Sequence, residues 1–80
     1  MEQEIEKMKT NIILKLNQIG YIKTESTEKK LDIHDSIRDC IDILDRLLTF
    51  IEAEENDIET FDEIKADYID TIRFINKTLN

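Results

Sequence analysis

The sequence predicts an all-α fold: an antiparallel three-helix bundle or helical hairpin-type domain, completed by homodimerisation. Three observations carry this. The 80-residue chain has no proline and one glycine, so little in it breaks a helix. Apolar residues recur at spacings of three and four in three separate stretches. In the middle stretch the apolar arc is wider than one neighbouring helix covers. A chain of this length makes a single domain, residues 1–80. It buries only about 60% of its unfolded surface, so a second copy is expected to finish the core.

The first helix is expected over about 2–19. Ile5, Met8, Ile12, Leu16 and Ile19 fall on one face. Glu2, Glu4 and Glu6 sit in the opening turns, where the helix dipole favours acids. Gly20 then offers the left-handed position that ends a helix. Residues 20–31 read as a loop with a frayed helical start after Ser26, and Tyr21 and Ile22 fold back on the core.

The second helix is expected over about 32–55, opened by Asp32 as N-cap. Ile33, Ile37, Cys40, Leu44, Leu47 and Ile51 form a heptad seam. Ile41 and Leu48 widen it on one flank, Ile43 and Phe50 on the other. That width places helix 2 in the middle. The third helix is expected over about 57–79, with Asn56 and Glu59 as a capping box. Its stripe is Ile58, Phe61, Ile64, Tyr68, Ile72, Ile75 and Leu79. No glycine marks the join near Asn56, so one continuous rod is the alternative there.

The formal net charge of −8 is unevenly spread. Residues 1–30 carry a net +1, and residues 31–80 a net −9 with all nine aspartates. Such a surface repels nucleic acid and anionic lipid, so a protein partner with a basic surface is expected. No apolar run approaches the roughly 20 residues of a membrane span. Cys40 has no partner thiol in the chain, which suits a reducing cytoplasm.

Few residues suggest chemistry. His34 and Asp35 are adjacent on a helix, which does not make a catalytic dyad. Cys40 sits on the seam as a core thiol. Asp57, Glu59, Asp62 and Glu63 lack the glycine of a calcium loop, and no Glu-x-x-His motif of di-iron bundles is present. The chain is therefore read as having no catalytic residue, metal or cofactor.

Glu52-Ala-Glu-Glu55 followed by Asp67-Tyr-Ile-Asp70 resembles the paired acidic motifs of the MazG-like nucleotide pyrophosphohydrolases. That resemblance covers about a quarter of the chain and implies a magnesium-dependent hydrolase of nucleoside triphosphates. The sequence departs from the pattern at Asp67, where glutamate is usual. A turn at Asn56 would leave Glu55 roughly 15 Å along the axis from Asp67, at 1.5 Å per residue.

The acidic rows are the more unusual feature. Asp32, Asp35, Asp39 and Asp42 lie opposite the helix 2 seam, offset only partly by Arg38 and Arg46, and Glu59, Glu63, Asp67 and Asp70 line up on helix 3. Like charges at i, i+4 repel, so such rows lower stability and point to a use. The acidic face of Asp35, Asp39, Asp42, Glu59, Glu63, Asp67 and Asp70 is the expected partner-binding site, acting as a nucleic-acid mimic. Its bland counterpart is a solvated face that keeps a small protein soluble. Leu14, Ile43, Phe50 and Phe74 are the expected apolar interface residues.

The leading function is a non-catalytic protein-binding module. In type it is similar to small acidic helical proteins of phages and mobile elements that inhibit host machinery. The alternatives are the MazG-like hydrolase and a purely structural helical oligomer.

Overall fold

A computed structural model describes residues 2–52 and 60–79. It contains helix α1 (Glu2–Gly20), helix α2 (Thr27–Glu52) and helix α3 (Phe61–Leu79). All three pack against one another, and there is no strand among the described residues. Asn11 and Glu4 of α1 meet Tyr68 and Lys65 of α3, so those two helices run the same way. Arg46 and Phe50 of α2 meet Asp67 and Phe61 of α3, so α2 runs against it. Helices 2 and 3 are thus two antiparallel elements and not one rod. The molecule is elongated, 46 × 22 × 16 Å, as the length of α2 requires. No described helix is long and apolar enough to cross a membrane.

The helix boundaries follow local hydrogen-bond chemistry. α2 starts at Thr27, five residues ahead of the expected Asp32. Ser26 caps it: its Oγ accepts from the Lys29 N–H at 3.2 Å, and its carbonyl takes the Lys30 N–H at 3.0 Å. The polar run after Ser26 therefore becomes the exposed first turns of the helix. α3 is capped by Thr60, whose Oγ1 accepts from the Glu63 N–H at 3.3 Å. Thr60 and Glu63 have the spacing of a capping box. The expected box of Asn56 and Glu59, with Asp57 and Ile58, lies outside the described residues.

Gly20 corrects another expectation. No glycine here has a positive φ, so Gly20 is not in the left-handed conformation. α1 instead closes through tight bonds from the Tyr21 N–H to the Gln18 carbonyl and from the Ile22 N–H to the Ile19 carbonyl, and Tyr21 is left 85% exposed instead of folding back on the core. A Cβ at Gly20 would meet nothing within 4 Å. Gly20→Ala should therefore stabilise the fold by about 0.4–1 kcal/mol, chiefly by restricting the unfolded chain. A thermal melt that falls, or does not move, would contradict this.

The core places α2 in a different rotation from the one its apolar pattern suggests. Its fully buried line is Ser36, Cys40, Ile43 and Leu47. These join Ile5, Met8, Ile12 and Ile19 of α1 and Ile64 and Ile75 of α3. Ile37 and Leu44 lie at the edge of that core, and Ile51 is exposed. The physical reason is Ser36. A serine is not counted as core in a sequence pattern, yet its Oγ donates to the Asp32 carbonyl at 2.8 Å, one turn back. The hydroxyl is satisfied within its own helix, and the small side chain is buried without an unpaired polar atom. On α3, Thr71 and Thr78 are buried too. Thr78 Oγ1 donates to the Phe74 carbonyl at 3.1 Å in the same manner.

Candidate functional site

The rotation of α2 decides where its carboxylates go. With Ile43 in the core, Asp39 and Asp42 do not lie on the far side of the helix. They edge an open groove of about 220 Å³ between α2 and α3, together with Ile43, Arg46, Asp67, Asp70 and Thr71. Four of the seven expected acidic-face residues thus meet in one place, contributed by two helices. Asp39 and Asp42 come from α2, and Asp67 and Asp70 from α3, each pair three residues apart.

Arg46 stands among them. Its guanidinium reaches Asp67 at 2.8 Å across the groove and Asp42 at 3.3 Å on its own helix. It is also the most sheltered member of these pairs. The groove is anionic with one cation set into it, so α2 and α3 approach without four bare carboxylates repelling one another. The sequence marked Arg46 only as a partial offset. Its spacing of four from Asp42 was the available clue, while the contact to Asp67 depends on how the helices pack.

The other acidic-face residues are elsewhere. Asp35 is half-buried near Arg38 and His34, each at 3.7 Å. Glu63 is exposed in the first turn of α3. Glu59 lies outside the described residues. Outside the groove, Lys65 of α3 pairs with Glu4 of α1. The hydrogen bond from Lys65 is the main reason Glu4 titrates below the ordinary carboxylate range, against a smaller opposing effect of burial.

The four expected interface residues divide. Leu14 is 52% exposed, on the side of α1 away from the core. Ile43 is 1% exposed and belongs to the core of its own chain, so it offers nothing to a second chain. Phe50 packs on the core, with its ring 5.7 Å from that of Phe61. Phe74 is half-buried.

Cys40 is fully buried. Burial, with a smaller contribution from the Asp39 charge, pushes its pKa up to about 11. At pH 8 a thiol reagent should therefore modify the native protein at least about 100-fold more slowly than the unfolded chain, with reaction waiting on opening of the fold. Equal rates in buffer and in denaturant would show that Cys40 is accessible. His34 is exposed.

Among the described residues no three His, Cys or carboxylate side chains are grouped to hold a metal ion. For the pyrophosphohydrolase motif, Glu52 ends α2 while Asp67 is engaged by Arg46. Glu55 lies outside the described residues. In comparisons with known proteins, no family model, curated protein or solved structure matches the chain.

Proposed function

We propose that the protein is a non-catalytic interaction module that binds a basic surface of a partner protein through its acidic groove. The observation that carries this is the convergence of Asp39, Asp42, Asp67 and Asp70 from two helices on one open groove. Carboxylates held on rigid helices form a fixed anionic pattern. A fixed pattern attracts a cationic partner at long range and selects its geometry on contact. A groove of this kind competes with nucleic acid for a basic site, which makes the module an inhibitor of the phage or mobile-element type. The cytoplasm is the compartment that fits an unpaired, buried thiol. A homodimer belongs to the same reading, because the core of one copy is narrow.

The test is charge reversal at Asp39 and Asp70, which share the groove with the Arg46 partners Asp42 and Asp67. Asp39→Lys with Asp70→Lys changes the groove by four charges and keeps both carboxylates that pair with Arg46, Asp42 and Asp67. A lysine-rich peptide should bind the natural chain in a salt-sensitive way and lose at least about tenfold in affinity for the variant. Binding that survives reversal and is indifferent to salt would sink the groove. Magnesium-dependent release of pyrophosphate from a nucleoside triphosphate would sink the non-catalytic reading.

A further inference from the structure

The rotation that takes Ile43 into the core turns a second apolar line of α2 outward. Ile37, Ile41, Leu44, Leu48 and Ile51 are spaced four, three, four and three. At about 100° per residue they span an arc of only about 80°, and at 1.5 Å per residue they run about 21 Å along the helix. Ile37 and Leu44 rest on the core. Ile41, Leu48 and Ile51 are 56%, 53% and 51% exposed. Isolated exposed apolar residues need no explanation, but a continuous heptad line on one helix does.

The charges beside this line identify its occupant. One residue after Ile37, Leu44 and Ile51 stand Arg38, Asp45 and Glu52, all exposed and all on one edge of the line. Lys30 and His34 extend the line towards the helix start. The edge thus carries a cation, Arg38, in its N-terminal half and the acids Asp45 and Glu52 in its C-terminal half. Laid parallel on a copy of itself, the line would set Arg38 level with Arg38 and Asp45 level with Asp45. Laid antiparallel about a twofold axis, it sets the Arg38 half of each copy against the acidic half of the other.

We infer that this face of α2 is a homodimer surface on which two copies pack antiparallel. The inference rests on the homodimer part of the preceding reading and gives it a surface and an orientation. It is independent of the acidic groove. Heptad packing allows registers seven residues apart, and the charges select the one in which Ile41 lies against Leu44 of the second copy and Ile37 against its Leu48, since the next register sets Asp45 against Asp45. The twofold axis then crosses α2 between residues 42 and 43. In that register Arg38 of each copy faces Asp45 of the other, giving two symmetric ion pairs at the rim. Among the described residues Arg38 pairs with Asp35 at the long distance of 3.7 Å, so it is able to turn to a second carboxylate. The surface differs from the expected one, because Ile43 and Phe50 point into the monomer.

Sedimentation of the full chain between about 1 and 100 µM tests this. A dimer is expected at the upper concentrations. Ile41→Glu with Leu48→Glu should give a monomer whose helical circular dichroism is retained, since both side chains already face solvent. A single reversal, Arg38→Glu or Asp45→Arg, should weaken the dimer at least about tenfold, and the two together should restore it. A natural chain that is monomeric at 100 µM overturns both the surface and the homodimer. A dimer untouched by I41E/L48E keeps the homodimer and overturns this surface. A double reversal that fails to restore what each single reversal lost overturns the antiparallel orientation. Asp39→Lys with Asp70→Lys should leave the dimer intact, which separates this face from the groove.

Discussion

Ile43→Ala should lower the unfolding free energy by about 2–4 kcal/mol, while Leu14→Ala should change it by no more than about 0.5 kcal/mol. Composition and helical spacing treat these two residues alike, as apolar side chains off the main stripe. In the structure Ile43 is 1% exposed among Cys40, Leu47, Ile64 and Ile75, and Leu14 faces solvent. Truncating Ile43 removes buried methyl groups and leaves a space that rigid helices close only in part. In a domain this small, each kcal/mol shifts the melting temperature by about 4–8 °C, so a fall of roughly 10–25 °C is expected at fixed protein concentration. If I43A melts within a few degrees of the natural chain, α2 is not rotated as described. Both Asp39 and Asp42 would then return to the outer side of the helix, and the groove with them would be lost. One melting experiment thus tests the packing on which the site depends.

Arg46→Leu should destabilise the protein by about 1–2 kcal/mol in low salt, and most of that loss should disappear in 1 M salt. Isolated surface ion pairs contribute little because water screens them. Arg46 differs in two respects: it is sheltered between helices, and it joins Asp42 of α2 to Asp67 of α3. Without it, four carboxylates share the groove with no internal counter-charge. Salt shortens the range of their repulsion to about 3 Å at 1 M, which is why recovery is expected. The same change leaves the groove one charge more negative. A cationic peptide should then bind more tightly to a less stable protein. Opposite signs for stability and binding are hard to obtain by simple damage to the fold. A destabilisation that persists in high salt would mean that the Arg46 stem matters through packing alone.

The Glu4–Lys65 pair makes a smaller, pH-dependent tie between α1 and α3. Because Glu4 titrates below its ordinary range in the folded chain, the stability it adds is present above that range. It is lost as the pH falls through the folded value.

The all-helical class follows from the sequence alone, whereas the division of helices 2 and 3 into two antiparallel elements is set by contacts between them. The absence of proline leaves the helices unbroken, and three apolar stretches at three-four spacing each supply a buried stripe. Ile5, Met8, Ile12 and Ile19 on α1 were legible for that reason, since only one stripe is present there. Net charge and its concentration in the second part of the chain are likewise properties of the sequence.

The helix starts were less legible. Ser26 and Thr60 act through local bonds that other polar residues nearby are equally able to offer. Choosing among such caps depends on how far each helix gains from packing.

The rotation of α2 was decided only by the tertiary structure. Its sequence offers two parallel apolar lines, Cys40-Ile43-Leu47 and Ile37-Ile41-Leu44-Leu48-Ile51, and a helical pattern cannot rank them. Three-dimensional packing ranks them because Ser36, Thr71 and Thr78 are small and satisfy their own hydroxyls or lie sheltered at the contact. That ranking sends Ile43 inward and Ile41 outward. It also brings Asp39 and Asp42 to the edge of α3, where Asp67, Asp70 and Arg46 complete the groove.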